Sequence, residues 1–186
     1  PGFLAKRKTG GRAAAMSTEG EIFPGVSRIR TDARICSNVY AVQAADGSGK
    51  HMLIDTGDGK VEEVAEMSPE IVLLTHGHFD HAGGVKKEWR AVLHPLDFSG
   101  DRFIRAPAHA EKYPEKMRIA WRGWDFGVIH TPGHTQGSIS LFDRKRGILF
   151  SGDTLFAGGI LGRTDLGFGS QEGIERSRDM LLGLAF

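Results

Sequence analysis

The chain has few of the features that mark an exported, membrane-bound or nucleic-acid-binding protein. Its 186 residues include one cysteine, Cys36, so no internal disulfide can form, and this fits a reducing compartment. No apolar run approaches the roughly 20 residues that are needed to span a bilayer. A net charge of +1 gives no reason to expect a nucleic-acid or membrane partner. We therefore expect a cytoplasmic protein.

The remaining composition is that of an ordinary globular domain. Hydrophobic residues make up 40% of the chain and charged residues 25%, and the length suits one domain with a sizeable core. Residues 1–18 carry basic side chains and no acid, which predicts an added or upstream-translated leader or a disordered arm. An Arg-rich organelle-import segment stays open for the same stretch. Residues 19–186 are expected to form the domain.

Apolar patterns predict alternating strands and helices in the first half of the chain and mainly strands in the second. Strands are predicted over 26–29, 38–44, 51–55, 71–74, 91–94, 126–130, 138–142 and 147–151. Helices are predicted for a short segment around 61–67, for 82–89 and for 171–184. Residues 95–120 show no clear pattern and are predicted to form an irregular lid.

The most informative stretch directly follows the apolar run 71–74. His76, His78, Asp80 and His81 place four potential metal ligands within six residues. Imidazole and carboxylate ligands suit zinc, iron or manganese, whereas thiolates would favour other metals. A polar turn is the alternative, but four ligands at this spacing favour a metal site. The first turn of a following helix would also stabilise Asp80 in its ionised form.

Three further residues stand at turns that follow predicted strands. His134 lies among Gly and Pro residues after strand 126–130, so it can point into a site, and Asp153 follows strand 147–151. Asp55 ends strand 51–55 in a Gly-rich turn. It is either an acid that orients a ligand histidine or only an Asx-turn residue, and the sequence leaves both readings open.

Together, the motifs His-x-His-x-Asp-His at 76–81, Gly-His at 133–134 and Gly-Asp at 152–153 closely resemble those of the metallo-β-lactamase superfamily. The run from Asp153 to Asp165 is similar to that of the small hydroxyacylglutathione-hydrolase (glyoxalase II-like) subgroup. The resemblance implies an α/β fold of the αβ/βα sandwich type. Two sheets would pack face to face with helices outside and metals at one edge.

The resemblance also assigns roles to particular residues of this chain. The implied metal ligands are His76, His78 and His134 for a first metal, Asp80 and His81 for a second, and Asp153 as a bridge. Asp80 would also take up or relay a proton, and Arg163 would receive an anionic substrate such as a glutathione conjugate. The implied cofactor is one or two Zn²⁺ ions per chain, with Fe²⁺ or Mn²⁺ as alternatives.

The chain departs from the family in one respect. The family places a further histidine after the bridging aspartate, but no histidine follows His134 here. We therefore expect the final strand and helix of the family fold to be missing. Truncation, a second site completed differently or by another subunit, and a requirement for one metal only are three competing explanations. A homodimer that covers an exposed sheet edge also stays open.

The resemblance implies a metal-dependent hydrolase that cleaves thioester or ester bonds with a metal-activated hydroxide. A first alternative is a sulfur oxygenase similar to the persulfide dioxygenases, with one iron held by His76, His134 and Asp153, since two imidazoles and one carboxylate are typical of non-haem Fe(II) oxygenases. A second alternative is a truncated member of the family with weak or no catalysis.

Overall fold

Two β-sheets face each other in the computed structural model of the chain, which describes residues 2–5, 18–31, 37–114 and 116–184. Cys36 and most of the predicted leader lie outside the described residues. The division into a leader and a domain therefore stays a prediction. Among the described residues, no helix has the length and apolar character that crossing a bilayer requires.

The first sheet is built from the N-terminal half of the chain. Its strands, in spatial order, are β2 (Thr18–Phe23), β3 (Val26–Arg30), β4 (Asn38–Gln43), β5 (His51–Ile54), β6 (Val72–Leu73), β7 (Ala91–Leu93) and β8 (Glu111–Lys112). Neighbours from β2 to β5 are antiparallel, and neighbours from β5 to β8 are parallel. Because parallel strands end at the same sheet edge, the segments that follow β5, β6 and β7 lie side by side.

The second sheet is antiparallel throughout. Its strands, in spatial order, are β1 (Gly2–Ala5), β12 (Ile148–Gly152), β11 (Ile139–Asp143), β10 (Trp124–His130) and β9 (Arg118–Trp121). The pairing of β1 with β12 is not predicted by the sequence, in which residues 1–18 show little apolar periodicity. It gives β12 a neighbour on the side away from β11.

The main core lies between the sheets and follows the alternation of side chains along each strand. In β5, Met52 and Ile54 point toward the second sheet, whereas Leu53 points to the outer layer. Phe126 and Phe150 of the second sheet fill the same core, with ring centroids 6.0 Å apart. Burial of one such side chain contributes about 1.5–3 kcal/mol.

Helices cover the outer faces of both sheets. α1 (Glu62–Glu66) and α2 (Phe79–Ala82) contribute Val64 and Ala82 to the outer core of the first sheet. α3 (Gln171–Leu182) packs Leu181 on the outer face of the second sheet. The Ser170 hydroxyl begins α3 by accepting a hydrogen bond from the Gly173 amide at 3.0 Å. This arrangement confirms the predicted αβ/βα sandwich.

The predicted helix over 82–89 is wrong. The helix begins earlier, at Phe79, and ends at Ala82. Gly83 and Gly84 then turn the chain, and Gly84 packs against the segment that follows β5. A Cβ atom on Gly84 would lie 2.5 Å from the carbonyl oxygen of Thr56, so the close approach needs glycine. The irregular segment 95–120 contains a short 3-10 helix, Pro95–Asp97, together with β8 and most of β9.

Candidate metal centre

The candidate site lies where the two sheets meet at one edge of the sandwich. The loop after β6 carries His76 and His78, and α2 adds His81. His134 follows β10 and Asp153 follows β12, so these two residues come from the second sheet. The amide of Ile139 donates a hydrogen bond to the carbonyl of Thr75 at 2.8 Å and ties the sheets together here.

Three imidazoles form the first group of potential ligands. His76, His78 and His134 are buried, and one nitrogen of each lies within 4.8 Å of the others. Nδ1 of His78 is 2.9 Å from Nε2 of His134. Burial, and then nearby imidazoles, lower the pKa of His76 well below its usual value, and burial lowers that of His78 to about 4. Both rings are therefore neutral near pH 7, the form that binds metals.

The second group shares His76 and adds His81 and Asp153. Nε2 of His81 lies 3.4 Å from Oδ1 of Asp153. Burial alone would lower the pKa of His81, but the carboxylates of Asp153 and Asp55 outweigh it and raise this pKa. Burial would likewise raise the pKa of Asp153, but the charges of His81 and His134 hold it below its usual value. Both shifts favour the charged form of the side chain, because the imidazole and the carboxylate stabilise each other's charge.

Asp80 lies at the margin of the second group. Its carboxylate is 3.9 Å from Nε2 of His81, and its side chain is 15% exposed. Burial raises the pKa of Asp80, so its carboxyl group takes up a proton more readily than an exposed one. The structure brings Asp80 to the site, but outside the two groups of three that could hold a metal ion.

The carboxylate of Asp55 orients the Nδ1 atoms of both His76 and His81, directly for His81 and through Thr75 for His76. Nδ1 of His81 lies 2.7 Å from Oδ2 of Asp55. Nδ1 of His76 is 3.1 Å from the hydroxyl of Thr75, which donates to the same oxygen at 2.8 Å. Such contacts fix the orientation of an imidazole and leave its Nε2 lone pair for a metal. Asp55 adopts a left-handed backbone conformation with φ 60°, which is rare for residues other than glycine.

The other two imidazoles are oriented from loops far away in sequence. Nδ1 of His134 lies 2.7 Å from the carbonyl oxygen of Arg163, and Nε2 of His78 is 3.6 Å from Oδ2 of Asp101. The guanidinium of Arg163 makes two hydrogen bonds of 2.7 Å to Asp165. The Arg163 backbone thus contacts the site, while its side chain is 61% exposed and paired with an acid.

Gly162 allows the loop before Arg163 to approach both metal groups. A Cβ atom at this position would lie 1.8 Å from the carbonyl oxygen of Asp153 and 3.6 Å from Nδ1 of His134. Only a residue without a side chain lets the two segments meet at this distance.

The donor set fits a divalent zinc or iron ion. Nε2 of His76 is buried and has no hydrogen-bond partner among the described residues, although buried polar atoms normally have one. A metal ion would satisfy this nitrogen. Four imidazoles and a carboxylate without thiolates match the preferences of zinc and iron. The geometry therefore defines a cluster that could hold a metal ion.

Sequence reasoning missed Asp97 and Asp101, which both lie against the site. Asp97 is almost fully buried and contacts two of the ligand loops, and Asp101 is the acid beside His78. A signal for Asp97 was present, because it follows β7 at the same sheet edge as the other site residues. Its spacing matched no ligand pattern, so nothing in the sequence gave it a role.

Comparison with known proteins identifies the family. The family model described as the metallo-beta-lactamase superfamily matches residues 36–184, which is most of the chain. The chain belongs to this superfamily. The resemblance inferred from the motifs is thereby confirmed.

Curated relatives carry the name hydroxyacylglutathione hydrolase. The chain is 36% identical to that of Aeromonas hydrophila over 113 residues, which are 58% of this chain and 43% of the relative. It is 32% identical to that of Klebsiella pneumoniae over 125 residues, 64% of this chain and 48% of the relative. The chain thus spans about half the length of the curated relatives it matches.

Solved structures show the same fold. TTHA1623, crystallised in a di-iron-bound form, is 32% identical with a TM-score of 0.64, over 80% of this chain and 82% of that one. The B3 metallo-beta-lactamase BLEG-1 is 28% identical with a TM-score of 0.66, over 82% of each chain.

Proposed function

We propose that the chain is a metal-dependent hydrolase of thioester or ester bonds. The buried, unpartnered Nε2 of His76 is the observation that carries the proposal, because His76 is the residue that both potential ligand groups share. The curated relatives named hydroxyacylglutathione hydrolase support the thioester class. Glutathione thioesters are therefore the first substrates to test. The proposed location of the protein is the cytoplasm.

The proposed ligands are the residues that the two groups bring together: His76, His78 and His134 for the first ion, and His81 and Asp153, with Asp80 beside them, for the second. When bound, a divalent ion supplies a Lewis acid for the carbonyl and a water of lowered pKa. Zinc, iron and manganese are the candidate ions, with one or two per chain.

The protein's own groups would manage protons around that chemistry. The raised pKa of Asp80 suits it to accept a proton from the attacking water and to return it to the leaving group. Asp55 would hold His81 and, through Thr75, His76 in their binding orientation. Arg163 stays a proposed anion contact, which would require its guanidinium to leave Asp165.

The test compares hydrolysis of a glutathione thioester by the metal-loaded protein with that by two variants. His76→Ala removes an imidazole common to both groups, so turnover should vanish with most of the bound metal. His109→Ala is the matched control, because this exposed ring lies outside the site and its hydrogen bond is to the Trp89 carbonyl. A metal-loaded, folded wild-type protein that hydrolyses no thioester or ester would contradict the proposal.

A second candidate is a mononuclear-iron sulfur oxygenase. The set His76, His81 and Asp153 contains two imidazoles and one carboxylate, which is the donor set of non-haem Fe(II) oxygenases. It differs from the predicted set in containing His81 instead of His134. Oxygen uptake by the iron-loaded protein with glutathione persulfide would favour this candidate, and the absence of uptake would reject it.

A further inference from the structure

Asp97 is a buried carboxylate that none of the roles above uses. It ends the 3-10 helix Pro95–Asp97 after β7 and is 1% exposed. A carboxylate so deeply buried requires compensating hydrogen bonds, because isolated charge is costly to remove from water. Its partners therefore show what it does.

The partners of Asp97 come from two separate loops. Oδ2 accepts hydrogen bonds from the Gly77 amide at 2.8 Å and from the Thr135 hydroxyl at 2.7 Å. Oδ1 accepts one from the Gly137 amide at 2.7 Å. One carboxylate thus joins the loop after β6 to the loop after β10.

Both loops carry members of the first ligand group. Gly77 lies between His76 and His78, and Thr135 directly follows His134. The carboxylate of Asp97 therefore binds the Gly77 amide between two of the imidazoles and the Thr135 hydroxyl next to the third. A shift of either loop would change the distance between the imidazole nitrogens that face each other at 2.9 Å.

The two glycines are fitted to this carboxylate. A Cβ atom on Gly77 would lie 2.8 Å from the carbonyl oxygen of Asp97, and one on Gly137 would lie 2.6 Å from its Cγ. Neither distance is tolerated by real side chains, so both backbones approach Asp97 more closely than any other residue type permits. The three positions form one steric unit.

We propose that Asp97 is a positioning residue that holds the loop of His76 and His78 and the loop of His134 at the separation a metal ion needs. The inference rests on the proposed metal centre. In this role Asp97 would contact neither the ion nor the substrate. Its contribution is to metal affinity and coordination geometry, as for other groups that orient ligands from behind.

Asp97→Asn is the sharpest variant, because it keeps the shape and removes one acceptor. An amide has a single acceptor oxygen and a donor NH₂ group. In either orientation of the amide, the NH₂ group faces the amide of Gly77 or that of Gly137. One backbone donor is left unpaired, and its loop moves away from the other.

Asp143→Asn is the matched control. Asp143 is 0% exposed and accepts hydrogen bonds from the amides of Arg146 at 3.0 Å and Asp125 at 3.3 Å. Asp143 is the last residue of β11, whereas the first residue of that strand, Ile139, donates its amide hydrogen bond to Thr75, next to the loop that carries His76. Asp143→Asn thus makes the same substitution in an equally buried carboxylate, at the end of β11 that is farther from Thr75. It shows how far such a substitution lowers stability without a direct effect on the ligand loops.

The measurement is Zn²⁺ affinity by competition with a chromophoric chelator, together with the visible absorption of the Co²⁺-loaded proteins. We expect Asp97→Asn to bind Zn²⁺ roughly 10–100-fold more weakly than wild type and to shift the Co²⁺ bands. Asp143→Asn should melt at a lower temperature but match wild type in both metal readouts.

Wild-type Zn²⁺ affinity and an unchanged Co²⁺ spectrum in folded Asp97→Asn would overturn the inference. If that variant does not fold, Thr135→Val is the second test. It removes the hydroxyl that donates to Asp97 and contacts the Ser138 hydroxyl, but it leaves both glycine amides in place. A smaller loss of Zn²⁺ affinity supports the inference, and no loss rejects it. Hydrolysis is scored separately. A wild-type protein that binds metal but hydrolyses neither thioesters nor esters rejects the proposed function, while the Asp97 result stands on its own.

Discussion

Oδ2 of Asp55 lies 2.7 Å from Nδ1 of His81, and Oδ1 of the same carboxylate accepts the Thr75 amide at 2.8 Å. One side chain therefore connects α2 to the loop that carries the first two imidazoles. The strained backbone of Asp55 stands at the centre of this connection, as is common at functional sites.

Asp55→Asn should weaken metal binding. Asparagine tolerates the left-handed conformation, so the variant should fold, but its amide can accept from only one side. His81 or Thr75 then loses a partner, and we expect roughly 10–100-fold weaker Zn²⁺ binding in chelator competition. Asp58→Asn, whose carboxylate pairs with Lys60, is the control and should bind Zn²⁺ as wild type does. Equal affinities for both variants would show that Asp55 has no orienting role.

Removal of metal should destabilise the protein. A ligand that binds only the folded state raises the free energy of unfolding by about 2.7 kcal/mol at 100 times its Kd. Thermal unfolding should therefore begin at a lower temperature after chelation and recover when Zn²⁺ is restored. His76→Ala should show the lower temperature with and without Zn²⁺. A melting temperature that ignores chelation in metal-loaded wild type would contradict the site.

Gly162→Ala should disrupt both ligand groups at once. Its new Cβ would lie 1.8 Å from the Asp153 carbonyl, so the loop or the ligand must move. We expect metal content per chain to fall by more than half on elemental analysis. Gly183→Ala is the control, because its nearest atoms lie 3.5 Å away and its φ of −78° suits alanine. A normal metal content in Gly162→Ala would show that this close approach is not needed.

His94, which is not one of the candidate metal ligands, should make the free energy of unfolding depend on pH. Its ring stacks on His130 with centroids 4.4 Å apart, and burial, followed by the charge of His130, lowers the pKa of His94 to about 4. Between its ordinary pKa of 6.5 and about 4, the unfolded chain binds this proton more tightly than the folded protein. The free energy of unfolding therefore falls as the pH falls through this range, and levels off below it.

His94→Gln should flatten this dependence in metal-free protein. The test is urea unfolding at several pH values between 7 and 4, with His109→Gln as an exposed control. The slope of unfolding free energy against pH should be smaller in His94→Gln than in wild type or the control. Identical slopes in all three proteins would mean that the stacked pair does not couple to folding.

The sequence predicted the candidate ligands because their signals are local. His76, His78 and His81 lie within six residues, and each predicted strand next to a site residue exists within a few positions of its predicted bounds. Such spacing constrains chemistry before any tertiary contact is known.

The supporting contacts could not be predicted because they join residues distant in sequence. Asp97 meets the Gly137 amide 40 positions away, and Nδ1 of His134 meets the Arg163 carbonyl 29 positions away. The predicted helix over 82–89 failed for a similar reason, because Gly84 packs against Thr56 instead of continuing the helix. Strand β1 was missed because its partner, β12, lies at the other end of the chain.

The hydrogen bond from Ile139 to Thr75 has a consequence for the order of folding events. Imidazoles from one sheet reach those of the other only after both sheets have closed on the core between them. Metal should therefore bind late, after the rate-limiting step of folding. Bound metal should slow unfolding far more than it accelerates refolding. The more slowly a metal-loaded molecule releases its ion, the longer it should stay folded.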